Sequence, residues 1–340
     1  MKFKCGVIGL GRIGCGFDDD ISRKTINTHA GAYSIDKSAN LSALCDIDER
    51  KLSKYGTKYK VSGLYTDYRK MLENESLDCI SICTLADSHL EIVKEAAENN
   101  VRGIFLEKPM STNLNDALSI IEICRERNIK LQIDFQRRFD PFYVHLKELL
   151  CGKLCKIQHC VIHYGGGIAN TGSHIFDLLR FFFGNIVSVQ GTHSKNFSPN
   201  PSDPNVDGSI LCDNNITCYF HALDVSNYGL LELDIFSTHE RLRIDLVRPY
   251  AEHFKITESN ELAYKRLISV PIIKHDSEDA IVLGLKDLLH SIQNNTEPKS
   301  GGRNGYHSLE AVIGILKSAD SDGRRISLPL TIDSYKISSK

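Results

Sequence analysis

In the first half of the chain, short unbroken apolar runs alternate with stretches whose apolar residues recur every three or four positions. Lys4–Gly9, Asn40–Asp46, Asp78–Thr84, Val101–Leu106 and Lys130–Phe135 are runs of strand length bounded by polar or glycine residues. Between them the helical period predicts a helix from Arg12, another over Asp48–Tyr59, one ending at Met71–Glu73, then Ser88–Asn99 and Leu114–Arg127. Strands that are apolar throughout are buried on both faces. Their alternation with helices predicts a doubly wound parallel sheet.

The pattern changes after Gln136–Pro141. Lys156–Tyr164 alternates apolar and polar residues as a half-exposed strand does. A helix over Ser173–Phe183 follows, then runs at Ile186–Thr192, Ser209–Cys212, Ile216–Ala222, Gly229–Thr238 and Leu242–Leu246. Few helices separate these runs, so they predict a mostly antiparallel sheet. Phe197–Gly208, rich in Pro, Ser, Asn and Asp, reads as a loop, and helices over Glu278–Asn294 and Tyr306–Ser321 close the chain. The expected organisation is an N-terminal doubly wound domain over residues 1–136 and an α/β domain over residues 137–340.

Composition narrows the function classes. The 340 residues are 41% hydrophobic and 25% charged, with a net charge of −2 and no basic block, which argues against nucleic acid as a partner. No apolar run is long enough to span a bilayer. The N-terminus runs straight into a strand pattern without a cleavable segment, so a cytoplasmic protein is expected. Eleven cysteines contain no Cys-x-x-Cys pair. Cys151, Cys155 and Cys160 with His159 and His163 form the one cluster worth weighing as a zinc site. Its spacing is looser than zinc ligands usually show, so no metal is expected.

Gly9-Leu10-Gly11-Arg12-Ile13-Gly14 has the Gly-x-Gly-x-x-Gly spacing between a strand and a predicted helix. In that context Gly9 permits a tight turn, Gly11 admits a diphosphate, and Gly14 brings helix and strand together, with Arg12 and Ile13 in the same turn. Asp46 closes the second strand, where a carboxylate accepts hydrogen bonds from a ribose diol and repels a 2′-phosphate. This favours NAD over NADP. Asp48 is the alternative ribose ligand. The glycines and Asp46 are further apart than usual because Cys15–Ser38 holds an insertion. The insertion, with Asp18-Asp19-Asp20 and Thr28-His29, is expected near the cofactor mouth, and the acidic triplet reads as a solvated loop.

Glu107-Lys108-Pro109 follows a predicted strand end, where ligands of open α/β sheets bind. A lysine there can polarise a substrate oxygen. In the second half, Gly165-Gly166-Gly167 is followed by Asn170, Gly172, Ser173, His174 and Asp177. His174 and Asp177 share a helix face, and a histidine at a helix start can serve as acid or base near neutral pH.

Together with Gln136-Arg137-Arg138-Phe139, these motifs in this order resemble the Gfo/Idh/MocA oxidoreductases, named for glucose–fructose oxidoreductase and inositol dehydrogenase. The resemblance covers nearly the whole chain. It implies a Rossmann domain, a second domain with a large open sheet, and NAD(P)-dependent hydride transfer at a sugar, cyclitol or related polyol. It assigns Lys108 to the reacting oxygen, implies a cis bond before Pro109, and makes His174 the acid or base. It also implies a homodimer or homotetramer. Many members carry aspartate where this chain has Asn170, and an amide cannot take up a proton at neutral pH. Thr84, His89 and Glu107 are further candidate cofactor residues, and Asn170, Asp177, Tyr164, Arg138 and His163 candidate substrate contacts. Two alternatives are a nucleotide-sugar dehydrogenase or ketoreductase, using Arg241, Arg243 and Arg248, and a non-catalytic NAD-sensing regulator.

Overall fold

The structure, a computed structural model, describes residues 2–152, 156–248, 250–257, 265–274 and 279–338. It contains two compact units, Met1–Asp140 with Glu278–Leu309 and Pro141–Ser277 with Glu310–Ser338.

The first unit is built on six strands: β1 (Phe3–Ile8), β2 (Ala39–Cys45), β3 (Gly63–Tyr65), β4 (Cys79–Ile82), β5 (Gly103–Leu106) and β6 (Lys130–Ile133). Their order is β3-β2-β1-β4-β5-β6, and every pair is parallel. The order reverses between β1 and β4, which opens a crevice at the strands' carboxyl ends. The runs that are apolar without alternation, β4 and β5, are buried at every position. The crossover helices are α1 (His29–Ile35), α2 (Glu49–Tyr59), α3 (Tyr68–Glu75), α4 (His89–Glu98) and α5 (Leu114–Glu126). The side chains of Thr28, Asp48, Asp67 and Asn113 cap four of them by accepting from first-turn amides.

The helix expected from Arg12 is interrupted. One turn forms, with Cys15 and Gly16 amides donating to the Gly11 carbonyl at 3.0 and 2.9 Å. A 3-10 turn over Gly16–Asp19 follows, and α1 begins only at His29. The His29 and Ala30 amides donate to the carbonyls of Ile13 and Gly14 at 3.1 and 3.0 Å. Residues 15–28 are thus looped out of a single helix. The carboxylates of this segment take local hydrogen atoms that would otherwise serve a helix: Asp18 accepts from the Asn27 amide at 2.7 Å and from the Thr28 hydroxyl. Thr28 then accepts from the Gly31 amide at 3.0 Å and caps the helix afresh.

The second unit comprises α6 (Pro141–Gly152), β7 (Ile157–Tyr164), α7 (Ser173–Phe183) and the strands β8 (Ile186–His193), β9 (Val206–Cys212), β10 (Thr217–Ala222), β11 (Glu232–Ser237), β12 (Glu240–Asp245), β13 (Tyr250–Thr257), β14 (Arg266–Lys274) and β15 (Ile326–Ser327). They form one nine-stranded sheet, β14-β13-β12-β11-β7-β10-β9-β8-β15. The β7–β10 pair is parallel and the others are antiparallel. One face is buried, with Phe176 of α7 meeting Phe220 of β10 edge-on at 5.6 Å. The other face carries Tyr219, Phe236, Arg241 and Phe254 at alternating positions. The strands β13 and β14 and the helix α6 extend the expected set. The strand β9 starts at Val206, inside the segment read as a loop.

The expected division into 1–136 and 137–340 differs from the two units. The helix α8 (Ala280–Asn294) places Ile281, Leu285, Leu288 and Ile292 in the same core as Val7, Tyr33 and Phe105. Gly103 makes this possible, because a Cβ there would lie 2.3 Å from Ile292. The last helix, α9 (Gly302–Ala319), crosses from residues of the first unit to residues of the second.

Candidate active site

At the end of β1, Gly9 has φ +92°, and a Cβ on it would lie 2.7 Å from the Cys83 carbonyl group and 2.9 Å from the Thr84 nitrogen. The loop after β4 passes too close for any side chain there. At Gly14 a Cβ would sit 2.0 Å from the Gly9 oxygen, so the turn cannot close with a larger residue. Gly11 is different, because a Cβ there would meet no protein atom within 4 Å. The fold does not require glycine at this position, whereas the close approach of a diphosphate does. The residues of the turn therefore fit a dinucleotide.

Asp46 follows β2, as expected of a ribose ligand. Its carboxylate accepts from the Leu10 amide at 2.7 Å and the Asp48 amide at 2.9 Å, with Lys51 Nζ at 3.5 Å. These bonds lock the carboxylate against the glycine turn. Asp48 is instead the N-cap of α2, accepting from the Arg50 amide at 3.0 Å, and is not the ribose ligand by position.

The Glu107-Lys108-Pro109 segment leaves the carboxyl end of β5 and contains a cis Lys108–Pro109 bond. Glu107, expected as a cofactor residue, turns its carboxylate inward. Its Oε1 accepts from His29 Nε2 at 3.2 Å, and Asp134 Oδ2, just after β6, lies 3.5 Å from the same nitrogen. His29 Nδ1 is 2.8 Å from Ser81 Oγ, which donates to the Tyr33 hydroxyl at 3.0 Å. With the Ser81 hydrogen committed to Tyr33, both imidazole nitrogens are donors and the ring is cationic. The ring edge packs on Phe105 at 4.5 Å.

Burial opposes the charge on His29, but Cys83, Asp134 and Glu107 outweigh it and hold its pKa well above the usual histidine range. Burial raises Glu107 to about 7, assisted by the charge on Asp134 and opposed by His29. Asp134 is lowered, because His29, Glu107 and Gln136 together outweigh its burial. Gln136 Nε2 donates to Asp134 Oδ2 at 2.9 Å. The three donor atoms lie within 4.8 Å of one another, a spacing that suits a metal ion. A doubly protonated imidazole has no lone pair for one. The sequence places His29 near the cofactor mouth as part of the insertion, but it does not show the pairing with Glu107 and Asp134, which follow two different strands.

The ring of His89 is buried, with Nδ1 at 3.2 Å from the Met110 carbonyl and Nε2 at 3.2 Å from the Thr84 carbonyl. Burial lowers its pKa to about 4, so the ring is neutral and only one of these contacts is a hydrogen bond at a time. This imidazole lies between the loop after β4 and the loop carrying Lys108, with each ring nitrogen facing a main-chain carbonyl. The Thr84 hydroxyl accepts from Ser88 at 2.7 Å. Arg138 lies in a 3-10 turn over Gln136–Arg138 that follows β6.

In the second unit, His174 and Asp177 lie in the first turns of α7, with Asp177 buried and His174 half-buried. A π-turn over Ile168–Gly172 leads into this helix. Asn170 is exposed, and its amide donates to Asp203 Oδ2 at 2.9 Å, while Ala169 donates to Oδ1 at 2.7 Å. Asn205 Oδ1 accepts from Gly167 at 3.0 Å. Asp203 and Asn205 thus set the turn that presents Asn170, a role hidden in a polar segment that reads only as loop.

Tyr164, expected at the substrate, is wholly buried. Its hydroxyl donates to the Val206 carbonyl at 2.7 Å and accepts from the Val206 amide at 3.0 Å. It staples β7 to β9 and is not a surface contact. His163, another candidate, points to the outward sheet face beside His221. Arg241 and Arg243 are paired on that face with Asp234 at 2.5 Å and Glu252 at 2.7 Å. Of the cysteine–histidine cluster, Cys160 faces the core while His159 stacks on Phe236 outside, and Cys155 lies outside the described residues. The acidic triplet is not merely solvated, because Asp19 accepts from Lys54 at 2.8 Å, Lys58 at 2.7 Å and Tyr55 at 2.9 Å.

Two family models match this arrangement. Residues 3–135 match the oxidoreductase family with an NAD-binding Rossmann fold, and residues 161–243 match the GFO/IDH/MocA C-terminal domain. The chain belongs to the Gfo/Idh/MocA family. Among its relatives, the myo-inositol 2-dehydrogenase of Thermotoga maritima is 28% identical over 63% of this chain and 60% of its own length. The scyllo-inositol 2-dehydrogenase (NAD(+)) of Bacillus subtilis is 26% identical over 56% and 57%. The matched stretch thus spans little more than half of these relatives. In fold, the WlbA dehydrogenase of Bordetella pertussis, solved with NADH and UDP-GlcNAcA, superposes with a TM-score of 0.77 over 97% of this chain and 100% of that one at 20% identity. Among the described residues no helix is long and apolar enough to cross a membrane.

Proposed function

We propose that this Gfo/Idh/MocA chain is an NAD-dependent oxidoreductase. It moves a hydride between nicotinamide and a secondary alcohol or ketone of a sugar, cyclitol or related polyol. One observation carries the reading: Lys108 leaves β5 at the carboxyl edge of the same sheet whose β1 ends in the glycine turn. Names of the inositol dehydrogenase relatives support the substrate class.

Gly9, Gly11, Arg12, Ile13 and Gly14 hold the diphosphate and Asp46 the ribose, which favours NAD over NADP. Bound there, NAD supplies the hydride acceptor. Lys108 holds the reacting oxygen and stabilises negative charge developing on it. His174 takes up or returns the hydroxyl proton at a ring nitrogen. Asn170 binds a neighbouring hydroxyl without titrating, and Asp177 and Arg138 support the substrate. His89 and Thr84 position the loops around Lys108, and Glu107 does so from the buried side.

The second sheet's outward face, with Tyr219 44% exposed beside aromatic and paired cationic residues, supports a homodimer or homotetramer. The described cysteines are all free thiols, which fits the reducing cytoplasm. The test is NADH formation on a panel of inositols, free sugars and nucleotide sugars. Turnover confined to nucleotide sugars would replace the polyol reading. Tight NADH binding without turnover on any member would favour the regulator.

A further inference from the structure

The segment 15–28 is firmly built. Besides the Asp18 and Asp19 bonds described above, the Ile26 amide donates to Asp279 Oδ1 at 2.6 Å. Held this way, the segment folds back beside the glycine turn and borders an open pocket of about 480 Å³ whose walls include Gly11, Arg12, Phe17, Arg23, Lys51 and Tyr55. The guanidinium carbons of Arg12 and Arg23 lie 4.8 and 4.2 Å from the centre of the Phe17 ring. One aromatic ring therefore gathers two like charges, with Lys51 as a third cation in the wall and Asp20 as the one carboxylate. Arg23 is only loosely tied, at 3.6 Å from Asp20 and 3.3 Å from Asn27 Oδ1.

A cluster of cations beside a glycine turn suits an anion, and the adjoining Gly11 is the position whose missing Cβ the protein itself does not explain. A planar guanidinium matches phosphate geometry, and Arg23 reaches this site only because the insertion leaves the helix after its first turn.

We propose that the insertion is a phosphate clamp. Arg23, held on Phe17 beside Arg12, binds the diphosphate of the dinucleotide from the side where the helix is broken. The proposal rests on the NAD-binding reading above and adds residues that the glycine fingerprint does not contain.

The test is calorimetric titration of the full chain with NADH, ADP-ribose, NADP⁺ and adenosine. Arg23→Ala should weaken NADH and ADP-ribose about tenfold, the scale of one lost charge-assisted contact, and leave adenosine unchanged. Its salt dependence of ADP-ribose binding should be shallower than that of the parent. Arg23→Lys should recover part of the affinity. Equal ADP-ribose affinity in parent and Arg23→Ala overturns the clamp while leaving the cofactor reading intact. A loss confined to NADP⁺ overturns it too, because the arginine would then serve a 2′-phosphate. A parent chain that binds neither NADH nor ADP-ribose sinks the cofactor reading itself. Arg23 is exposed, and an unchanged melting temperature in the variant confirms that folding is not the cause of any loss.

Discussion

Replacing His29 by alanine removes the one cation between two buried carboxylates. In the parent, His29 is 1% exposed, Asp134 2% and Glu107 7%. Breaking a buried ion pair by deleting one partner costs ~3–5 kcal/mol, because the remaining charge is stranded in a poor solvent. Loss of the edge contact with Phe105 adds roughly 0.5–1.5 kcal/mol. The carboxylates have an escape, which is to bind protons, so the cost depends on pH. Glu107 is raised above its unfolded value, so its proton-linked stability is full below about 4.5 and is lost as pH rises towards about 7. His29 is raised as well, so its contribution is full below its ordinary range and lost as pH climbs above it. Asp134 is lowered, and its contribution is lost only in acid, as pH falls through its depressed value. In His29→Ala, both carboxylates lose their counter-ion and hold protons more strongly still. The deleted His29 contribution is largest in acid, where the carboxylates escape by binding protons, so the two effects oppose there and the test is made near neutrality. Urea unfolding followed by far-ultraviolet circular dichroism at about pH 7 should show a loss of ~3–5 kcal/mol, and a loss below ~1 kcal/mol would refute the burial argument.

Other expected outcomes are independent of that cluster. Lys108→Ala should keep NADH affinity and lose roughly 10²–10⁴-fold in turnover, measured by steady-state kinetics and fluorescence titration; unchanged turnover would remove Lys108 from the reaction. Gly11→Val should leave the melting temperature nearly unchanged and abolish NADH binding, because its Cβ meets no protein atom within 4 Å. Gly14→Ala should instead lower stability by ~1–3 kcal/mol, since its Cβ lands 2.0 Å from a main-chain oxygen. Asp203→Ala strands the main-chain amides of Ala169 and Asn170, and the buried Ala169 amide alone sets a cost of ~1–3 kcal/mol. If Asn170 binds substrate, that variant also raises KM more than it lowers kcat.

The parallel sheet was legible because β4 and β5 are buried on both faces and so are apolar without interruption. The alternation of β7 gave its half-exposed setting for the same kind of reason. The broken first helix was not legible from period alone, because residues 12–17 do make a helical turn before the acidic segment diverts the chain. Strands β13 and β14 carry polar residues such as Glu252, Lys255 and Arg266, which dilute the apolar signal. At the candidate site, the glycine turn and Lys108 could be read because each is a contiguous motif. Tyr164 was misplaced because a strand-end tyrosine looks the same whether its hydroxyl meets a ligand or a main-chain pair. The pairing of His29 with Asp134 and the role of Asp203 escaped because each joins residues distant in sequence and close only in the fold.

The helix α8 has a consequence for how the protein is made. Its apolar side completes the core around Tyr33 and Phe105, yet it begins 147 residues downstream of the end of β6. A ribosome adding roughly 5–20 residues per second needs about 9–35 s to travel from the end of β6 to Leu309 of the first unit. During that interval the nucleotide-binding sheet is exported from the tunnel with an apolar face still open. A nascent chain in that state is a natural client for a holding chaperone. A truncated gene ending at residue 140 would fix the exposure permanently, so insoluble protein is its expected product.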